Sequence, residues 1–173
     1  MGKVENENMI PVEDAEQVAR AIFSPSFLDP DGHIGPQAFY MEILPSGDAE
    51  TDISVFRLGQ CEDISEVVRN MNARKPGDKV CGYGEMNVGE IKHVQISLPD
   101  SKINVLASPS KRYSAHASIV IEMDGASITA CNFYEPNGQP LEAINVNLMY
   151  IMTQLAEISE LVPLDTADKE DDV

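Results

Sequence analysis

The sequence predicts a single α+β domain: a mostly antiparallel sheet with a C-terminal β-hairpin, packed by helices that include one long C-terminal helix. Three observations carry this. Segments with helical and with alternating periodicity follow one another as helix, strand, helix, several strands and helix. Asp124-Gly125 stands between two β-branched runs, the signature of a tight hairpin. The chain has 173 residues, 43% of them hydrophobic and 24% charged, enough for one core.

The elements follow in order. Ala15, Val18, Ala19 and Ile22 recur at helical spacing, so a helix is expected over 14–23, ended by Ser24-Pro25. The turn-rich stretch 24–47, with Phe27, Leu28, Ile34 and Phe39 embedded, is expected to wrap over the core. Residues 52–58 read as a strand, with Ile53, Val55 and Arg57 on one face. A second helix is expected over 64–74, capped by Asp63 and closed by Pro76-Gly77. Strands are expected over 80–86, 94–98 and 103–107, with a single helical turn over 88–92. The hairpin joins 117–123 to 126–133. Asn137-Gly138 marks a turn, and Pro140 suits the first position of a helix over 140–162. Ile144, Leu148, Ile151, Leu155 and Ile158 form that helix's stripe. The stripe fits packing across the sheet; a homodimer seam is the competing reading.

The domain is expected over 14–164, between a flexible acidic N-terminal segment over 1–13 and a solvated acidic tail over 165–173. The formal charge is −17. Residues 1–16 and 165–173 each carry −4, which leaves −9 on the folded body. That balance argues against duplex nucleic acid and against an anionic membrane surface, because both need clustered Lys and Arg. No apolar run is long enough for a membrane helix, and MGKVENENMIPVED has no apolar stretch of a secretory leader. Cys61, Cys81 and Cys131 form no CxxC pair and read as reduced core or near-core residues of a cytoplasmic protein.

Several residues are of types that can carry chemistry. Asp29 and Asp31 stand at positions 1 and 3 of a calcium loop, but the later ligand positions hold His33, Ile34 and Tyr40. Asp-Pro-Asp-Gly therefore reads as a turn rather than a metal site. Gly82, Gly84 and Gly89 lack the spacing and context of a dinucleotide loop, and glycines in a strand mark a bulge or a close crossing. No cofactor is expected. Two roles fit Arg57: an ion pair with a carboxylate, or an anchor for an anionic ligand, with Lys111 and Arg112 adding positive charge. Two roles also fit His116, at the entry to the hairpin: a strand-end histidine bonded to backbone, or a general base.

The segments Arg20-Ala-Ile, Ala38-Phe39, Ser54-Val-Phe-Arg57 and His116-Ala-Ser-Ile119 resemble a pattern shared by uncharacterised bacterial proteins. The resemblance spans scattered positions from about 20 to 119 and leaves the C-terminal helix outside. It implies bacterial origin and marks Arg57 and His116; it implies no established activity. Two function classes follow. The first is a non-enzymatic acidic protein-interaction module, an accessory, immunity or regulatory protein of a bacterial system, with a basic partner. The alternative is a small enzyme or binding domain for an anionic small molecule that uses Arg57 and His116.

Overall fold

A computed structural model of the chain describes residues 9–73 and 75–164. Its strands are β1 (Ile10–Pro11), β2 (Gln17–Ser24), β3 (Ile53–Arg57), β4 (Lys79–Asn87), β5 (Ser101–Ala107), β6 (His116–Met123), β7 (Ala126–Ser127) and β8 (Glu160–Pro163). They build one eight-stranded sheet in the order β1-β5-β6-β3-β2-β4-β8, with β7 beside β6. Every pairing is antiparallel. The α-helices are α1 (Ile64–Arg69), α2 (Val88–His93) and α3 (Val146–Ile158). The chain is thus an α+β domain, as its sequence pattern predicts.

One face of the sheet carries the core. Val18 and Ile22 of β2, Ile53 and Val55 of β3, Met86 of β4, Ile103 and Val105 of β5, and Ile119 and Ile121 of β6 are all buried there. Leu148, Ile151 and Leu155 of α3, Val88 and Ile91 of α2, and Phe39 of a 3-10 turn over Pro36–Phe39 join the same cluster. On the other face α1 packs on β4, its cap Asp63 beside Tyr83. Asp63 accepts from the backbone N–H groups of Ser65 and Glu66, as its position before the apolar stripe predicts.

Several elements differ from expectation. Residues 17–24 are strand, not helix. β2 lies between β3 and β4, so Val18, Ala19, Ala21 and Ile22 are buried on both faces, and a two-sided apolar run imitates helical spacing. Residues 94–97 form a 3-10 turn that continues α2. Val94 is buried there and Ile96 is 65% exposed, whereas a strand would put both on one face. The segment expected to be flexible over 1–13 enters the sheet at Ile10, and Val12 belongs to the core. Residues 1–8 and the tail over 165–173 lie outside the described residues.

The hairpin turn forms as read, with positive φ at Asp124 (53°) and Gly125 (79°), the type I′ geometry. Its return strand is only two residues long. The chain then leaves the sheet, and Thr129 caps a 3-10 turn over Ala130–Asn132. Pro140 does not start a helix; it bridges Tyr134 across the Asn137-Gly138 turn. The last helix has 13 residues, capped by Asn145, which accepts from the N–H groups of Asn147 and Leu148 at 2.8 and 3.3 Å. It spans about 20 Å rather than about 35 Å. Residues 160–163, whose Leu161 and Val162 extend the helical pattern, return as β8 to pair with β4.

The stripe of α3 faces inward. Leu148, Ile151 and Leu155 are fully buried, and Ile144 and Ile158 pack against the same core. The dimer seam expected through Ile144, Leu148, Ile151, Leu155 and Ile158 therefore has no exposed stripe to use. The outer edge of β5 is covered by Ile10 and Pro11 at one end, and further along Gln95 Oε1 accepts from the backbone N–H of Ile103 at 2.8 Å. No helix of the described residues is long and apolar enough to cross a membrane.

Candidate functional site

Arg57 ends β3, and Glu16 immediately precedes β2 beside it. The Arg57 Nε and Nη2 donate to the two carboxylate oxygens of Glu16, each at 2.9 Å. Both side chains are 24% exposed, so the pair is only partly shielded from solvent. This fork-to-fork contact uses the planar donor set of the guanidinium. It holds the Glu16 carboxyl below its ordinary value near 4.5, against the smaller opposing effect of burial. The ion-pair role of Arg57 is thus the one the fold adopts.

His116 opens β6 directly across from Phe56 of β3, and directly opposed residues share a face. The two rings meet edge to face, with centroids 5.8 Å apart, and Tyr113 meets Phe56 the same way at 5.3 Å. Arg57 follows Phe56 and so points to the opposite face. The pairing of Arg57 with His116 in one site is corrected by this register.

The imidazole is held by backbone. Its Nδ1 lies 3.0 Å from the carbonyl oxygen of Ser108 and 2.7 Å from Ser108 Oγ. A carbonyl oxygen only accepts, so these partners assign the proton to Nδ1. Ser108 Oγ in turn lies 2.8 Å from Ser118 Oγ, and Ser118 is buried. In this tautomer Nδ1 cannot take a proton from the Ser108 hydroxyl. The Nε2 makes no hydrogen bond among the described residues, and no carboxylate of theirs contacts the ring. The arrangement orients a histidine without supplying it with a nucleophile.

Lys111 and Arg112 are exposed on the loop that leads to β6, and the Arg112 guanidinium lies 5.2 Å from the Tyr113 ring centroid. Asp29 and Asp31 form the turn that their spacing suggests. Asp29 Oδ1 accepts from the backbone N–H groups of Asp31 and His33 at 2.9 Å each, and Gly32 has φ of 85°. The side chains of Asp29, Asp31 and His33 approach within 4.8 Å, with Asp31 and His33 exposed. Asp29 Oδ1 is thus engaged in the turn, and Asp29 Oδ2 lies 3.8 Å from His33 Nδ1. Cys61, Cys81 and Cys131 form no disulfide; Cys81 is half-buried against the core, as a near-core residue should be, Cys61 is half-buried and Cys131 is exposed, unlike the expectation.

Two concave regions draw mainly on residues that the sequence pattern does not mark for chemistry. A cavity of about 100 Å³ is lined by Arg20, Phe23, Phe27, Phe56, Lys75 and Asp78, among others. Arg20 bridges the sheet to its cover: Nε donates to the carbonyl of Ala38 at 2.9 Å and Nη1 to that of Ser54 at 3.0 Å. A helical reading of residues 14–23 sets Arg20 on an outer polar face, which conceals this role. Nearby charges are matched in place. Lys75 Nζ lies 3.9 Å from Glu42, which also accepts from the Tyr134 hydroxyl at 3.1 Å, and Asp78 accepts from the Ser26 hydroxyl. Burial first, then Glu42, pushes the Tyr134 phenol well above its ordinary range.

The second region is a groove of about 340 Å³ between α2 with its 3-10 extension and α3. Glu90, His93, Val94, Tyr150, Gln154 and Ile158 line it. Comparison of the chain with family models, curated proteins and solved structures finds no match.

Proposed function

We propose that the chain is a non-enzymatic, acidic protein-binding module whose partner is basic. One observation carries the reading: the groups best suited to chemistry are engaged with one another rather than converging on a site. Arg57 is closed by Glu16 on one face of the sheet, and His116 is tied to Ser108 on the other. The alternative, an anionic-ligand site built on Arg57 and His116 together, needs both on one face. A formal charge of −17 favours encounter with positively charged partners. Three cysteines without a disulfide suit a reducing compartment, which supports a cytoplasmic setting. An accessory, immunity or regulatory role fits such a module.

Affinity capture from native lysate across a series of salt concentrations tests this. The expected result is a retained protein with a basic surface, whose affinity falls as ionic strength rises. Absence of any retained partner at every ionic strength refutes the reading, as does turnover of a small anionic substrate that His116→Ala abolishes.

A further inference from the structure

We infer that the groove between α2 and α3 receives a basic amphipathic helix of the partner protein. The inference rests on the protein-binding reading and gives it a location. Four large hydrophobic side chains are exposed among the described residues: Ile10, Ile96, Val146 and Tyr150. One of them, Tyr150, lines this groove, and Val146 and Ile96 lie on the two elements that form its walls. Val146 and Tyr150 are one turn apart on α3, and Gln154 and Ile158 continue the same line at intervals of four residues. Ile96 lies on the 3-10 turn whose Val94 and Ser97 line the opposite wall. Val146 is 78% and Tyr150 39% exposed, although the other side of the same helix is completely buried. The helix therefore has an inner stripe that the fold satisfies and an outer pair, Val146 and Tyr150, that it leaves exposed.

Charge selects the occupant. Glu90 lines the groove, and Glu157, exposed beside it, accepts a hydrogen bond from Gln154 at 3.2 Å. Neither makes an ion pair with a described residue. The neighbouring cation, Lys92, is held by Asp14 at 2.8 Å. The groove thus joins an apolar floor to carboxylates free for Lys or Arg, and the Tyr150 ring offers a face to a cation. α3 is about 20 Å long, which matches a partner helix of about 13 residues lying along it. Such a helix presents apolar side chains at intervals of three and four to the groove, and its flanking Lys or Arg to Glu90 and Glu157.

Fluorescence anisotropy with labelled synthetic peptides and the full chain tests this. One probe is a 16-residue peptide (about four turns) of Leu and Lys with Leu at helical spacing; the other has the same composition with Leu scrambled. The amphipathic probe is expected to bind about tenfold more tightly than the scrambled one. The double substitution Val146→Ser with Tyr150→Ser leaves the net charge unchanged and is expected to weaken the amphipathic probe about tenfold. Glu90→Gln with Glu157→Gln is expected to weaken it severalfold and flatten its salt dependence. All four positions are on the surface, and an unchanged urea midpoint verifies the fold of each variant. Equal binding of both peptides, or wild-type binding by the Val146→Ser, Tyr150→Ser variant, overturns the groove and leaves the general module reading standing. Failure of both basic peptides to bind at low salt counts against both. Sedimentation showing a dimer that the same variant dissociates also overturns the inference, because the occupant would be a second copy of the chain.

Discussion

Gly82 is the position at which the closing of the sheet is most sensitive to one added carbon. An ideal Cβ there would lie 2.3 Å from the carbonyl oxygen of Val162 and 2.9 Å from Cα of Pro163. Both atoms are backbone of β8, so no side chain can swing aside. A carbon–oxygen contact needs about 3.3 Å, so Gly82→Ala drives β8 back by about 1 Å. The β4–β8 ladder runs over four residue pairs, from Gly82–Pro163 to Glu85–Glu160. A net backbone hydrogen bond contributes about 1 kcal/mol, so loosening half of such a ladder costs about 2 kcal/mol. Gly84→Ala is the control. Its Cβ meets Ile34 Cδ1 at 3.0 Å, the free end of a side chain, and the expected cost is under about 1 kcal/mol. Urea unfolding followed by circular dichroism reads both, since the chain has no tryptophan. Gly82→Ala is expected to lower the midpoint by about 1 M and to speed hydrogen exchange at residues 160–162. A midpoint within about 0.3 M of the wild type, with unchanged exchange in β8, refutes the steric account.

Two further outcomes follow from contacts described above. Glu16→Gln is expected to cost about 1 kcal/mol at neutral pH. Because the folded-state pKa of Glu16 is lowered, the contribution of the ionised pair is complete above the ordinary value near 4.5 and is lost as pH falls through the depressed value. The gap between wild-type and variant urea midpoints is therefore constant above the ordinary value near 4.5 and closes as pH falls below it, and a gap that persists into strong acid refutes the assignment. Leu148→Ala is expected to cost about 2–5 kcal/mol, and Val146→Ala about 0.5 kcal/mol or less, on the same helix two residues apart. Similar midpoints for the two variants would show that the orientation of α3 is wrong.

The α+β class, strands β3 to β6 and the tight turns were legible because their signals are local. Alternation in β3, Asp63 before an apolar stripe and Asp124-Gly125 each specify geometry within a few residues. The failures occur where burial on two sides or a change of element hides in a continuous apolar pattern. β2 is central, so it shows no polar face, and Ala, Val and Ile satisfy a helical period as readily as a strand's. Leu161 and Val162 extend the stripe of α3 by spacing, yet Ser159 ends the helix and its hydroxyl donates back to the carbonyl of Leu155 at 2.7 Å. The glycines of β4 were legible as a close crossing, although not which strand would cross. At the candidate site, the separate roles of Arg57 and His116 follow from pairing register, which no single segment encodes. Arg20 and the outer line of α3 were missed for the same reason: each acquires meaning only from the element beside it.

The edges of the sheet constrain how this protein can associate. At one end, β1 contributes Pro11, and beyond it the Gln95 carboxamide occupies the donor of Ile103. At the other, β8 ends at Pro163, which has no backbone donor. An incoming strand therefore finds proline at both borders and, at Ile103, a donor already taken, so extension of the sheet by another chain is opposed along the described residues. A partner of the kind proposed above would therefore meet side chains rather than backbone ladders that any extended peptide could join.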